Sequence, residues 1–459
     1  MARPDTSELT DDKILELNRY ISRTMQKSGV PALSITIAQH GKTIFSRGYG
    51  RRDLESGKRA TNDTLYGVGS VTKSVTSMCI LLLEKQGLLK TSAPVTDYLD
   101  DYRVDEYAGK TTLSNLMYHS SGIASVNAAE IVLFRDLGRD TTNIPLETMD
   151  DFMDFINGAA SERHSLPGKK FMYWNEGYTL LGRVIEGITG KPYAQCVREM
   201  LLKPLDMKRS TFSGMEAFGD SDHATPYIRK DGEMVPAGIS DNETVLAPGG
   251  LITSSEELSR YVSLWTGGNG GVFDAGLLKE SVKPRFTVDS TGPYGKSHYG
   301  YGWSIQDDFL GHRIVQHSGA VGASSGFVGF LEDFGVSVSI GANVSESPNS
   351  RIGFYALSLF VRGSGPEDLP FVKHDKLKEE LIGMYGDYRD FSFLIIKESS
   401  TGNLTFELRS DEYNISVPVL MDGDEVFIYM DNEKMPLEIR KSKDNKVEIF
   451  LERHRFVKK

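Results

Sequence analysis

Ser70 and Lys73 form the only Ser-x-x-Lys in the chain, within Gly67-Val68-Gly69-Ser70-Val71-Thr72-Lys73. Val71, Val75, Met78, Cys79, Leu82 and Leu83 recur at helical spacing, which predicts an apolar helix over Val71 to Gln86 stopped by Gly87. Residues three apart share a helix face, so the lysine amine falls beside the serine hydroxyl. Ser70 then occupies the first turn, where unpaired backbone N–H groups and the helix dipole favour negative charge. This combination suits a nucleophile with a proton acceptor at hand and an N–H aimed at its own reaction centre. The plainer alternative is a serine that only caps the helix.

Two further stretches carry matching chemistry. Tyr173-Trp174-Asn175 is the only Tyr-x-Asn. A phenol lowered in pKa by Lys73 would relay a proton, and the Asn175 amide would orient Lys73 and a substrate carbonyl. A buried tyrosine before a turn asparagine is the alternative. His317-Ser318-Gly319-Ala320 follows a strand. Gly319 lets a substrate approach the backbone, and an edge strand here would offer the Ala320 N–H as an oxyanion donor opposite that of Ser70. A structural histidine is the alternative for His317. Gly322-Ala323-Ser324-Ser325-Gly326 matches Gly-x-Ser-x-Gly, but such an elbow must lead from strand into helix. Phe327 to Phe330 reads as strand, which argues against Ser324 as nucleophile. Lys27-Ser28-Gly29 mimics part of the third motif but ends a helix.

The elements that must position these residues are mixed. A helix over Ile14 to Met25 ends at Gly29; strands at Ala32 to Gln39 and Lys42 to Arg47 form a hairpin about His40-Gly41. Thr112 to His119 and Glu176 to Thr189 read as helices, as do Ser255 to Trp265 and Ser350 to Val361. Strands are expected at Tyr299 to Ile305, Arg313 to Gln316, Gly326 to Phe330 and Val336 to Asn343. Ala124 to Arg163 has few regular signals and reads as an insertion near the site, a substrate lid. The order implies an α+β core whose first and last strands pair across the sequence. Arg362 to Pro370, rich in Gly, Pro and acids, opens a linker over 362–375. Six short alternating runs beyond it, from Ser392 to Leu451, with turns at Ser400-Thr401-Gly402-Asn403 and Asp422-Gly423-Asp424, predict a small antiparallel barrel over 376–459.

The bulk properties fit this picture. The chain has 459 residues, more than one core usually holds, and is 39% hydrophobic and 25% charged. A net charge of −11 gives nucleic-acid binding no electrostatic support. Cys79 and Cys196, the two cysteines, read as buried thiols in a reducing compartment, neither a disulfide framework nor a metal site. Met1 to Asp11 lacks an apolar targeting core and no run reaches membrane-spanning length, so a cytoplasmic protein without a membrane partner is expected.

Gly-Ser-Val-Thr-Lys at 69–73, Pro167-Gly168 followed by Tyr-Trp-Asn at 173–175, and His-Ser-Gly at 317–319 occur in this order. With them stand Asn62-Asp63-Thr64-Leu65-Tyr66, Tyr118-His119-Ser120-Ser121-Gly122 and Gly249-Gly250-Leu251. Over residues 14 to 361 the chain resembles the serine β-lactamase-like superfamily. The resemblance is to its class C-related group, with S12-type peptidases, D-aminopeptidases, penicillin-binding proteins and family VIII carboxylesterases. The resemblance implies an α/β sandwich with an antiparallel sheet and a helical subdomain, the site between them, in a catalytic domain over 1–361. It implies Ser70 as nucleophile, Lys73 as its activator, and Tyr173 as base for acylation and acid for the leaving group. Asn175, His317 and Gly319 would orient substrate. The tail resembles the lipocalin-like barrels appended to some members, where it would shield the site edge or mediate assembly into a homo-oligomer. No cofactor and no metal are implied.

His317 departs from the lysine common in β-lactamases and transpeptidases. A histidine is mostly neutral near pH 7, with an ordinary pKa of about 6.5. The site is therefore less committed to anionic substrates, and neutral esters or amides with a free amine fit better. Glu130, Ile131, Leu133, Phe134 and Asp136 of the insertion suit an apolar acyl group or a cationic amine. An esterase acting on short or medium acyl esters is the favoured expectation. A peptidase or D-aminopeptidase comes next and a β-lactamase last, with a binding protein carrying a relict site as the reading from another class.

Overall fold

The computed structural model describes residues 8–139, 142–399, 402–409, 414–423 and 425–459, with only the backbone described at 289–291. Residues 1–7 of the stretch Met1 to Asp11 lie outside these, as do Ser400, Thr401 and Asp424 of two expected turns. The described residues divide into two units, Met1–Gly365 and Pro366–Lys459. Among them no helix is long and apolar enough to cross a membrane.

The first unit is built on an eight-stranded antiparallel sheet. Its strands are β1 (Ala32–Gln39), β2 (Lys42–Gly50), β3 (Phe286–Gly292), β4 (Gly295–Tyr299), β5 (Ser304–Phe309), β6 (His312–Val321), β7 (Ser324–Leu331) and β8 (Val336–Ala342), in the order β2-β1-β8-β7-β6-β5-β4-β3. The first strand pairs with the last in the register Leu33↔Ala342, Ile35↔Ile340, Ile37↔Val338, as the order of elements implied. Ser339 lies opposite both Thr36 and Val328, so these three share one face. That face is covered by the helix Ser255–Val262, whose Ser255 hydroxyl bonds Thr36 Oγ1 at 3.0 Å. The other face, carrying Phe327, is covered by the helix Asn349–Ser358, where Gly353 leaves room for the Phe327 ring. Hence β1 is buried on both faces although its sequence alternates. Its polar side chains are satisfied internally: Ser34 Oγ donates to the Thr61 carbonyl at 2.6 Å and pairs with the Tyr66 hydroxyl at 2.9 Å.

Two expectations change. Tyr299 to Ile305 is not one strand: it breaks between β4 and β5 at Gly302, with φ of +75°. A Cβ at Gly302 would lie 2.6 Å from the Lys73 carbonyl oxygen. The turn must therefore seat directly on the backbone of the lysine, and a strand cannot do that. Ala124 to Arg163 is not an irregular lid. It holds the helices Ala128–Asp136 and Met149–Asn157, whose Val132, Phe152, Met153 and Ile156 sink into the core. The second of these begins with a Thr148/Asp151 capping box that the acidic composition disguised.

The second unit opens with the helix Pro370–Leu381, so the expected linker over 362–375 is partly helical, with Pro370 at a position where its missing N–H costs nothing. Seven strands curl into one antiparallel sheet and three more, from Leu420 to Pro436, form another; together they make a half-barrel. Tyr385, Leu394, Phe406, Ile428 and Ile449 fill its interior, and the Tyr385 hydroxyl donates to the Leu381 carbonyl at 2.6 Å.

Gly302→Ala is expected to cost about 2 kcal/mol of stability through positive φ and backbone contact. Because the strain falls on Lys73, it should also depress turnover at temperatures where the chain remains folded; denaturant melts and initial rates check this.

Candidate active site

Ser70 lies in a short 3-10 turn, Gly69–Val71, that runs straight into the helix Thr72–Lys85. This turn is wedged against β6. A Cβ on Gly319 would overlap the Val68 carbonyl and the Ser70 nitrogen, and one on Gly69 would overlap the backbone of Ala320. Glycine at both positions is what lets the serine backbone meet the strand. The pairing of β6 with β5 ends at Gln316↔Ser304, whereas its pairing with β7 continues through Ala320↔Ser325. Beyond Gln316 the outer edge of β6 is thus free of β5, beside the Ser70 N–H.

The Lys73 side chain is fully buried. Its Nζ lies 2.8 Å from Ser70 Oγ and donates to the Pro248 carbonyl at 2.9 Å. Burial pulls its pKa down to about 7, against the opposing pull of Glu130 and Glu176. Both acids come from elements that meet here. Glu176, in the first turn of the helix Asn175–Thr189, accepts the Ala128 N–H at 2.8 Å, and burial pushes it up to about 7. Glu130 accepts the Asn175 amide at 2.8 Å.

Tyr173 meets the same point. Its phenol lies close enough to Ser70 to feel the serine hydroxyl, and the Lys73 amine stands 4.9 Å from its ring centre. Part of the ring faces the cleft, leaving the residue 37% exposed, while the hydroxyl is desolvated against the serine. The expected lowering of its pKa by Lys73 does not occur. Burial raises it, and the Ser70 hydroxyl only partly offsets this. The phenol therefore stays protonated where Lys73 is already neutral.

Asn175 does not reach Lys73 with its amide, which Glu130 takes. His317 is buried, with Nδ1 2.6 Å from the Ser318 carbonyl and Nε2 2.8 Å from the Tyr299 hydroxyl. A carbonyl only accepts, so Nδ1 carries the proton and Nε2 accepts from Tyr299. Burial, reinforced by the Lys73 charge, holds the ring down at about 3. His317 is neutral, as its ordinary pKa suggested, but neither ring nitrogen is left for a substrate.

Ser70, Tyr173 and His317 to Ala320 line a cleft of about 370 Å³, together with Ser325, Ser345, Ser347, Asn349 and Ser350. A slightly larger hollow at Arg52, Asp53 and His223 contains none of the motif side chains. Ser324 is buried at the start of β7 and leads into strand, and Ser28 ends a helix at Gly29, so neither mimic joins the site. Among the described residues no three His, Cys, Asp or Glu converge as a metal-binding set.

Residue-by-residue reading missed Pro248, Glu130 as a partner of Asn175, Glu176 and Tyr299. Pro248 borders the Gly249-Gly250-Leu251 stretch, which was a usable signal: Val68 N–H bonds the Leu251 carbonyl at 3.0 Å and fixes that loop beside Ser70. For the two acids the sequence held no signal beyond proximity to Asn175 for Glu176.

The model of the family described as Beta-lactamase matches residues 17–359. Protein flp of Staphylococcus aureus (strain MW2) is 28% identical over 331 residues, covering 70% of this chain and 61% of that protein. The match thus spans less than two thirds of the length of these staphylococcal relatives. Esterase EstB of Burkholderia gladioli is 28% identical over 314 residues, covering 62% of this chain and 78% of that protein. A solved structure, described as the octameric penicillin-binding protein homologue from Pyrococcus abyssi, superposes with a TM-score of 0.86 at 30% identity, covering 98% of this chain and all of that one.

The neutral amine of Lys73 sets two expected pH effects. kcat/KM should rise about tenfold per pH unit below about 7 and level off above it. The folded pKa is depressed, so between pH 7 and the unfolded value of about 10.4 the unfolded chain holds a proton that the folded chain has released. Stability therefore gains with pH over that window; from pH 7 to 9.5 the wild type should gain about 3 kcal/mol more than Lys73→Met, read by denaturant melts of both proteins.

Proposed function

The chain belongs to the beta-lactamase family, and on that footing we propose that it is a serine hydrolase working through an acyl-serine, with carboxylesters of short or medium acyl chains as its substrates. One observation carries the chemistry: a buried lysine amine, its pKa pulled down to about 7, lies 2.8 Å from the Ser70 hydroxyl. Lys73 takes the Ser70 proton as Oγ attacks the substrate carbonyl. The N–H groups of Ser70 and Ala320 receive the developing oxyanion. Tyr173 gives its proton to the departing oxygen and recovers one from Lys73, so the pair returns to its starting charge. Water then attacks the acyl-serine with Lys73 taking its proton, and Lys73 returns that proton to Ser70 Oγ as the acyl–oxygen bond breaks and the acid leaves.

The ester preference rests on the likeness to esterase EstB and on the absence of positive charge at His317. The wall formed by Ser345, Ser347, Asn349 and Ser350 favours a second reading, in which the substrate is an amide with a polar, uncharged leaving portion, as for an S12-type peptidase or D-aminopeptidase. A β-lactamase, which would want a cation where His317 stands, ranks below both. Assembly into a homo-oligomer comes to this chain by its likeness to the Pyrococcus abyssi protein alone.

A fluorophosphonate probe should label wild type at Ser70 and leave Ser70→Ala unlabelled; no adduct on the wild type identifies a binding protein. Ser70→Ala should lower ester turnover by at least about 10⁴-fold and Tyr173→Phe by about 10²–10³-fold with the fold intact. Turnover of D-alanyl p-nitroanilide but not of p-nitrophenyl butyrate would overturn the ester preference and leave the hydrolase standing.

A further inference from the structure

The stretch Tyr118-His119-Ser120-Ser121-Gly122 lies against the segment that carries Tyr173. His119 follows the short helix Leu113–Met117 and is buried. Its φ of +57° is uncommon for any residue but glycine. The main-chain carbonyl of His119 accepts the Met172 N–H at 2.7 Å. Its Nδ1 accepts the Trp174 N–H at 3.0 Å. Its ring lies against that of Tyr173, with centroids 4.1 Å apart. One residue thus grips the backbone immediately before and immediately after Tyr173 and packs on the phenol ring between the two grips.

We propose that His119 is a positioning residue that fixes the Tyr173 phenol against Ser70, through these two backbone hydrogen bonds and the ring contact. The proposal rests on Tyr173 serving Ser70 as described above.

Residues 170–174 belong to no helix or strand. Their segment has no ladder to hold it, and two hydrogen bonds tie its backbone to His119 at 172 and 174. In an extended stretch, N–H groups two residues apart point the same way, so one neighbour can receive both. A residue that does so must turn its carbonyl and its side chain towards the same segment, and the left-handed backbone of His119 accomplishes this. Ser120 extends the contact, its carbonyl accepting the Gly168 N–H at 2.7 Å.

The ring chemistry is suited to the task. Accepting at Nδ1 requires the proton on Nε2, a neutral imidazole. Burial, with the Lys73 and His317 charges against it, holds the pKa of His119 well below its ordinary value, so the acceptor persists across the neutral range. The Nε2 atom is buried without a partner. It touches neither Ser70 nor Lys73 through any hydrogen bond, which sets His119 apart from the groups that move protons.

The test compares His119→Leu and His119→Asn in the full chain. Asparagine keeps an acceptor at the Nδ1 position and tolerates the left-handed backbone, whereas leucine keeps neither. For ester hydrolysis we expect His119→Leu to lower kcat by about 10²-fold with KM changed less than about threefold. His119→Asn should recover most of that loss. Adding His119→Leu to Tyr173→Phe should cost little beyond Tyr173→Phe alone, since His119 acts through the phenol. If His119→Leu does not fold, His119→Gln replaces it, its acceptor displaced by one bond. Unchanged kcat in the acceptor-shifted or acceptor-less variant, or a full multiplicative loss in the double variant, overturns the proposal. An undiminished Tyr173→Phe would instead overturn the reading of Tyr173 on which it depends.

Discussion

A lysine amine with no access to water is the constraint on which this site depends. Nothing offsets its desolvation fully: Glu130 and Glu176 pull its pKa up, yet burial prevails and leaves it near 7. The same amine in solvent would be protonated at neutral pH and could not take the proton of Ser70. The fold supplies the dryness. The turn at Gly302 sits on the Lys73 backbone, the Tyr173 and Tyr178 rings stand within about 6 Å of the amine, and the Pro248 carbonyl accepts a hydrogen bond from it. With that donor position occupied, the lone pair of the neutral amine is left for Ser70.

Burial acts in opposite senses on the two partners of Ser70. It lowers the amine and raises the phenol, because in each case the charged form is the one disfavoured. In the proposed reaction this sorts the two groups into a base and an acid in the same pocket. At and above neutral pH the amine is able to accept a proton while the phenol keeps its own. His317 is sorted by the same term towards neutrality, which removes the positive charge that an anionic substrate would seek.

The site also shows how far apart in sequence its scaffolding lies. The free margin of β6 exists because β5 stops pairing at Ser304 while β7 continues. The serine turn reaches that margin only because Gly69 and Gly319 carry no side chain. The loop of His119 fixes the segment that carries Tyr173, and the start of the helix Ala128–Asp136 is tied to Glu176. Each contact joins segments that local patterning treats as unrelated.

The sequence by itself determined the helix behind Ser70 and the pairing of early and late strands, and it named Ser70, Lys73 and Tyr173 as candidates that the fold brings together. These are legible because helical and strand periods and Gly-rich turns are local properties, and because three short motifs in fixed order resemble a known family. It misjudged Ala124 to Arg163, which holds two helices whose Val132, Phe152 and Ile156 are buried in the core. Only the tertiary structure decided the direction of the Tyr173 shift, the donation of the Asn175 amide to Glu130, and the engagement of both His317 nitrogens. The reason is physical: desolvation and hydrogen-bond partnership are set by which distant segments close over a group, and no window along the chain contains those segments together.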